Sequence, residues 1–259
     1  MTPVIAVEEH GDVALVRVDR PPANAMDLDL LERLLETLER LKADDPGAVV
    51  VIGSGSFFSA GLDVKVLPTL DDDDKRAMVD GINRMFLGWY ELPRPLVCAV
   101  NGHAVAGGMI LVLCGDRRIG STEGTFGLTE VRVGVPYPAC ALELVRAELS
   151  SAAARRLALT AGHVDAETAL ALDVVDELAR PGEVEPRALE LAAELAHMPR
   201  SAFAITKSEM RAESLARMRR ALEETDPVIR YWLEEISPLT ASRAGLAPEE
   251  QDAPGEEDD

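Results

Sequence analysis

Cysteine, histidine and lysine are scarce in this 259-residue chain, at three, four and four copies, and uninterrupted apolar runs are short. Cys98, Cys114 and Cys140 are odd in number, sit in apolar surroundings and lack the paired spacing of a metal knuckle, so they read as reduced core thiols. His10, His103, His163 and His197 are not grouped with cysteines or carboxylates at ligand spacing, so no metal site is expected. Neither a GxSxG elbow nor a GxGxxG turn occurs, which removes two common signatures of nucleophilic and dinucleotide chemistry. Basic charge is lacking as well: 26 Lys plus Arg stand against 46 Asp plus Glu, a net charge of −20. Nucleic-acid binding needs a basic face that displaces counterions from phosphate, and this chain offers none. No segment approaches the ~18 apolar residues of a membrane span. The opening MTPVIAVEEHGDVALVRVDR lacks a basic start, an apolar stretch and a cleavage site. The expectation is a soluble cytoplasmic protein that meets neither membrane nor nucleic acid.

What is present is an apolar fraction of 47%, enough for one large core and hence one α/β unit with a helical appendage. Alternation over Val4 to Val7 and Val13 to Val18, around His10-Gly11-Asp12, predicts a β-hairpin. Leu28, Leu31, Leu34, Leu35, Leu38 and Leu41 recur at helical spacing, with Asp29 and Glu32 placed as a capping box. The runs Ala48 to Ile52 and Leu96 to Val100 predict buried strands, with shorter ones around Arg118 and Thr125, in a mostly parallel sheet joined by crossover helices. After Ala139 the pattern is helical over 139–149, 151–160, 166–172, 186–196, 201–223 and 227–236, with no comparable strand signal. From about Ala247 the chain is acidic, carries two prolines and has almost nothing to bury, which predicts a disordered tail over 247–259.

Two glycine-containing segments each follow a predicted buried strand: Ser59-Ala60-Gly61-Leu62-Asp63 and Ala104-Val105-Ala106-Gly107-Gly108. Small residues there allow close backbone approach. A strand-to-helix turn also leaves N–H groups unpaired at the positive end of a helix dipole, and two such groups can form an oxyanion hole. Either segment alone reads first as an ordinary tight turn; the pair carries more information.

Five blocks, PPANAMD (21–27), FSAGLDVK (58–65), NGHAVAGG (101–108), CGDRRI (114–119) and FGLTEVRVGVP (126–136), give the chain a resemblance to the crotonase (enoyl-CoA hydratase/isomerase) superfamily. The resemblance implies a spiral of ββα turns over 1–195 and a C-terminal helical region over 196–246 that mediates homotrimers or hexamers. It also implies an acyl-CoA thioester substrate, with coenzyme A part of that substrate and no separate cofactor. It places the oxyanion hole at the N–H groups of Leu62 and Gly107. Ala60 then matches the position whose backbone meets the adenine, within a CoA-binding set of Ala60, Gly61, Asp63, Lys65 and Gly108, Lys65 being near the CoA phosphates. Asp63 and Asp116 are read as local hydrogen-bonding residues without chemistry of their own. Lys207 is open to two readings, a CoA-phosphate contact or a solvated helical lysine.

Hydratases of this family carry two glutamates, because adding water takes one group to deprotonate it and another to supply a proton. Here the first position is Ile110, which transfers no proton, and the second is Glu130. The pattern is most similar to the delta-3, delta-2-enoyl-CoA isomerases, in which one glutamate shuttles a proton from C2 to C4. The leading expectation is therefore an isomerase with Glu130 as its acid/base. Hydration or another crotonase reaction, or acyl-CoA binding without chemistry, stand as alternatives. Flanking Leu128, Val131 and Val133 predict a raised Glu130 pKa. Tyr137-Pro138-Ala139-Cys140 departs from the glycine-rich segment of many hydratases and bears on acyl preference. Met78, Met85, Phe86, Trp89 and Tyr90 form a helical stripe read first as core and second as an acyl tunnel, and Asp71 to Lys75 reads as an acidic loop. Leu222, Ile229, Trp232 and Ile236 exceed what one small helical layer would bury, which points to subunit contacts.

Overall fold

The computed structural model describes residues 4–235. The expected hairpin opens it: β1 (Ile5–His10) and β2 (Val13–Val18) pair antiparallel across a turn in which Gly11 has a φ of +65°. Helix α1 (Leu28–Asp44) follows, buried along Leu30, Leu31, Leu34, Leu38 and Leu41. Its cap is Asp27, whose extended backbone lets its carboxylate accept the Leu30 amide at 2.9 Å. The capping box expected at Asp29 is displaced by two residues, and Asp29 instead pairs with Arg33 on the solvent side. Strands β3 (Ala48–Gly53) and β4 (Phe57–Ser59) lead to helix α2 (Asp72–Glu91). The acidic loop expected at 71–75 is the start of this helix. Asp71 caps it, and Asp72, Asp73 and Asp74 occupy the first turn, where carboxylates meet the positive end of the dipole.

The chain continues through β5 (Leu96–Val100), β6 (His103–Val105), α3 (Gly107–Leu113), β7 (Arg117–Ser121), β8 (Thr125–Gly127) and a 3-10 turn at Glu130–Val133. Then come α4 (Ala139–Glu148), α5 (Ser151–Ala154), β9 (His163–Asp165), α6 (Ala166–Ala171), β10 (Glu177–Ala179), α7 (Val184–Ala196), α8 (Arg200–Met210), α9 (Ala212–Glu223) and α10 (Pro227–Glu234). One continuous helix was expected over 201–223. The break falls at Arg211, where the guanidinium turns inward to the carbonyls of Tyr90 and Cys114 and to Asp116.

Two sheets result. One has the order β1-β2-β3-β5-β7-β10, parallel from β2 onward; the other has the order β4-β6-β8-β9, with β9 antiparallel to β8. Each strand pair β3/β4, β5/β6 and β7/β8 contributes one member to each sheet, which makes the spiral of ββα turns that the resemblance implies. Strand β3 shows why these runs read as fully buried. Val49 and Val51 enter the main core, while Ala48, Val50 and Ile52 face α7 through Val184, Ala188 and Leu191. All three cysteines are buried free thiols. Among the described residues no helix is long and apolar enough to cross a membrane.

The apolar residues expected to need a partner are largely satisfied within the chain. Trp232 is fully buried, and Leu222 and Ile229 pack on the main core. Ile236 and the acidic tail lie outside the described residues. Large apolar side chains left in solvent occur elsewhere, at Leu159, Ile205 and Met210.

Candidate active site

The first glycine segment forms the turn after β4. Gly61 adopts a φ of +75°, and a parallel bridge joins Met26 to Leu62. That bridge uses the Gly61 carbonyl, which accepts from Met26 N at 2.7 Å, and the Asp63 N–H, which donates to the Met26 carbonyl at 2.8 Å. Ala60 N donates to Ala23 O at 2.9 Å, and Gly61 N to Ser59 Oγ at 3.1 Å. The N–H of Leu62, between two engaged neighbours, has no hydrogen-bond acceptor among the described residues.

The second segment forms the turn from β6 into α3. Ala106 holds a φ of 50° and a ψ of −131°, a costly conformation for a residue with a Cβ, fixed by its N–H donating to Gly127 O at 2.8 Å. Gly107 is the first residue of α3, so its N–H has no intrahelical acceptor. The two turns touch. A Cβ added to Gly61 would lie 2.4 Å from Gly107 N, and one added to Gly107 would lie 3.6 Å from Leu62 N. Only glycine at 61 permits this approach, and two uncommitted donors are the parts from which an oxyanion hole is made. Gly108 lets the same helix press on β4, since a Cβ there would fall 2.2 Å from Ser59 O.

Ala60, Leu62, Gly107 and Glu130 line one cavity of about 120 Å³, together with Met26, Phe86, Ile110, Pro138 and Trp232. Glu130 begins the 3-10 turn after β8 and is buried, with Oε2 lacking a hydrogen-bond partner among the described residues. Burial pushes its pKa up from the ordinary 4.5 to about 7. Backbone N–H groups and the neighbouring Tyr137 hydroxyl act weakly the other way, and the same burial raises the Tyr137 phenol. Ile110 is fully buried on α3 and presents only hydrocarbon to this cavity. The cavity thus holds one carboxyl group able to carry a proton near neutrality.

The remaining predicted residues fall around this centre or away from it. Asp63 bonds locally, accepting from Lys65 N at 3.2 Å, and the Lys65 side chain is exposed. Lys207 is not the solvated helical lysine of one reading, and it is not among the residues lining this cavity. It is buried, donating to Asp116 Oδ2 at 2.7 Å and to the Arg94 carbonyl at 3.0 Å, and burial lowers its pKa against the opposing pull of Asp116. Its ammonium is paired with a carboxylate inside the protein. Asp116 is more than a local cap, since it also holds the Leu96 amide at 2.8 Å and Arg211 at 3.0 Å. In the α2 stripe, Met78, Met85, Trp89 and Tyr90 are core, whereas Phe86 is core and also lines the cavity.

Sequence reasoning singled out Trp232 only as a subunit-contact position and did not select Asn83 or Asp226. Asp226 caps α10 through Val228 N at 2.9 Å, and its Oδ2 accepts from Asn83 Nδ2 and from Ala139 N, each at 2.8 Å. Asn83 Oδ1 in turn accepts from Cys140 N at 3.0 Å. Nothing local in the sequence signals a tie among α2, α4 and α10.

The enoyl-CoA hydratase/isomerase family model matches residues 8–234. The human mitochondrial delta3-delta2-enoyl-CoA isomerase superposes with a TM-score of 0.84 at 26% identity, covering 93% of this chain and 95% of that one. A Mycobacterium tuberculosis protein described as an enoyl-CoA isomerase gives a TM-score of 0.81 at 31% identity, over 86% of this chain and 97% of that one. A putative enoyl-CoA hydratase of Thermus thermophilus is 37% identical over 205 residues, 77% of this chain and 80% of that one. A family match running from the first hairpin to the last described helix, on a spiral that brings two glycine turns against one buried glutamate, makes this chain a member of the enoyl-CoA hydratase/isomerase family.

Proposed function

We propose that the protein isomerises a 3-enoyl-CoA to the trans-2-enoyl-CoA through Glu130 alone. The observation that carries this reading is the pairing of Glu130 with Ile110 in one apolar cavity. Glu130, ionised, takes the proton from C2, and the C–H electrons move into the thioester carbonyl, giving a dienolate conjugated with the C3–C4 double bond whose charge rests on the thioester oxygen. The N–H groups of Leu62 and Gly107 stabilise that oxygen, by about 3–4 kcal/mol per donor. Glu130 then returns the same proton to C4, so no water enters. A pKa of about 7 suits a group that must act first as base and then as acid. The adenine and phosphates of CoA would lie along Ala60 and the exposed Lys65.

Because the base must be ionised, kcat/KM is expected to fall about tenfold per pH unit below pH ~7 and to level off above it. A pH–rate profile on a 3-enoyl-CoA checks this, and a flat profile down to pH 5 would remove Glu130 as the base.

Hydration is the second reading, favoured by the hydratase names that several relatives carry. The deciding experiment incubates the protein with a 3-enoyl-CoA and, separately, with a trans-2-enoyl-CoA in water. Conjugation without mass change in the first supports isomerisation; gain of one water in the second supports hydration. Thioester binding with neither product would support acyl-CoA binding without chemistry. A place in the breakdown of unsaturated fatty acids in the cytoplasm fits the isomerase reading. Assembly into trimers or pairs of trimers fits the exposed Ile205 and Met210 on α8. A light-scattering mass of one chain would overturn it.

A further inference from the structure

We infer that Trp232 closes the acyl pocket and that the Asn83–Asp226 pair holds it in place, which restricts the enzyme to short acyl chains. The inference rests on the acyl-CoA reading above and adds to it a limit on the substrate.

The cavity is lined by residues of the two glycine turns and by Ile82, Phe86, Ile110, Pro138, Ala141 and Trp232 from α2, α3, α10 and the start of α4. Trp232 is the largest of these side chains and is fully buried. Its indole Nε1 finds no acceptor among the described residues, so no hydrogen bond of its own fixes the ring. Its position is instead inherited from the start of α10. There Asp226, itself buried, gathers the Asn83 side-chain amide, the Ala139 amide and the Val228 amide around one carboxylate. Asn83 adjoins Ile82 on α2, and Ala139 lies between Pro138 and Ala141 on α4, so three helices that contribute lining residues meet at a single buried group. A wall tied in this way gives little when a longer chain presses on it. The cavity's volume of about 120 Å³ is well below the ~300–1,000 Å³ of sites that take drug-sized ligands.

The test uses saturated acyl-CoAs, which cannot isomerise, so that the pocket is assayed apart from the chemistry. Calorimetric Kd values are measured for butyryl-, hexanoyl-, octanoyl- and decanoyl-CoA with wild type, Trp232→Ala, Trp232→Leu and Asp226→Asn, each checked for folding by circular dichroism. For wild type, affinity is expected to stop improving by octanoyl-CoA. In the Trp232 variants it should keep improving by about fourfold per added methylene, the fold-change equivalent to ~0.8 kcal/mol. Asp226→Asn, which puts an amide N–H among donors, is expected to loosen the same limit while leaving Trp232 intact. If wild type and the Trp232 variants stop at the same chain length, or wild type shows no limit, the inference is wrong. A length limit that moves with Trp232 in a protein that fails to isomerise any 3-enoyl-CoA would sink the reaction proposed above and leave this inference standing. Absence of binding to every ester would overturn both.

Discussion

Glu130→Gln is expected to lower kcat for 3-enoyl-CoA isomerisation by about 10²–10⁴-fold, the usual contribution of a positioned acid/base group. Glutamine keeps the shape and most of the polarity of the side chain but cannot carry the proton from C2 to C4. Ile110 brings only hydrocarbon to the cavity, and no second carboxyl among its lining residues can take over. The same substitution should stabilise the fold, and in a pH-dependent way. A carboxyl whose pKa rises from 4.5 to about 7 on folding costs nothing below pH ~4.5, where it is protonated in both states. The cost grows as pH climbs through the interval and is complete above pH ~7, at about 3 kcal/mol from ~1.4 kcal/mol per pKa unit. Denaturant titrations of wild type and Glu130→Gln should therefore diverge from pH 5 to pH 8 in favour of the variant. Equal kcat, or equal stability at pH 8, would contradict the role or the environment assigned to Glu130.

Gly61→Ala carries the second large effect, about 10²–10³-fold in kcat, the scale of losing one oxyanion donor. The methyl group has no room: the atom it would strike is Gly107 N at 2.4 Å, and the backbone φ of +75° disfavours any L side chain. Relief requires the two turns to separate, which moves Leu62 N and Gly107 N apart while Glu130, on a different turn, stays where it is. The loss should fall mainly on kcat, because the dienolate oxygen needs both donors more than the ground-state thioester does. Steady-state kinetics on a folded variant check this. A kcat within a few-fold of wild type would mean that the close approach of the two turns is packing alone.

Much of the scaffold was legible because its signals are local. The strands at Leu96 to Val100 and Ala48 to Ile52 are continuous apolar runs since both faces of the sheet are covered, and the alternation before and after Gly11 is a hairpin wherever it occurs. Strands β9 and β10 were not legible: three residues each is too short for a period, and they pair only because the spiral brings β8 and β7 beside them. The Asp71 to Asp74 run looks like a solvated loop in composition, yet the helix dipole makes it a favourable first turn. Around the candidate site, the residues the sequence brought forward are those of the two glycine turns, Gly61 with its left-handed backbone and Gly107 with its N–H at the start of a helix, and the one carboxyl in an apolar setting. Lys207 misled because its partner Asp116 is 91 positions away, and no helical pattern distinguishes a buried ion pair from a solvated lysine. Trp232 was seen only as an apolar helix position, since the cavity it closes is made by segments distant from it in sequence.

Leu62, Gly107 and Glu130 each lie within three residues of the end of β4, β6 and β8, which are successive parallel rungs of the smaller sheet. Rungs are spaced about 4.8 Å apart by backbone hydrogen bonding, so the sheet acts as a ruler on which each rung carries one chemical group. A change at the end of one rung alters that group alone and leaves the spacing of the other two untouched. Chemistry on such a scaffold can be respecified one rung at a time without moving the others.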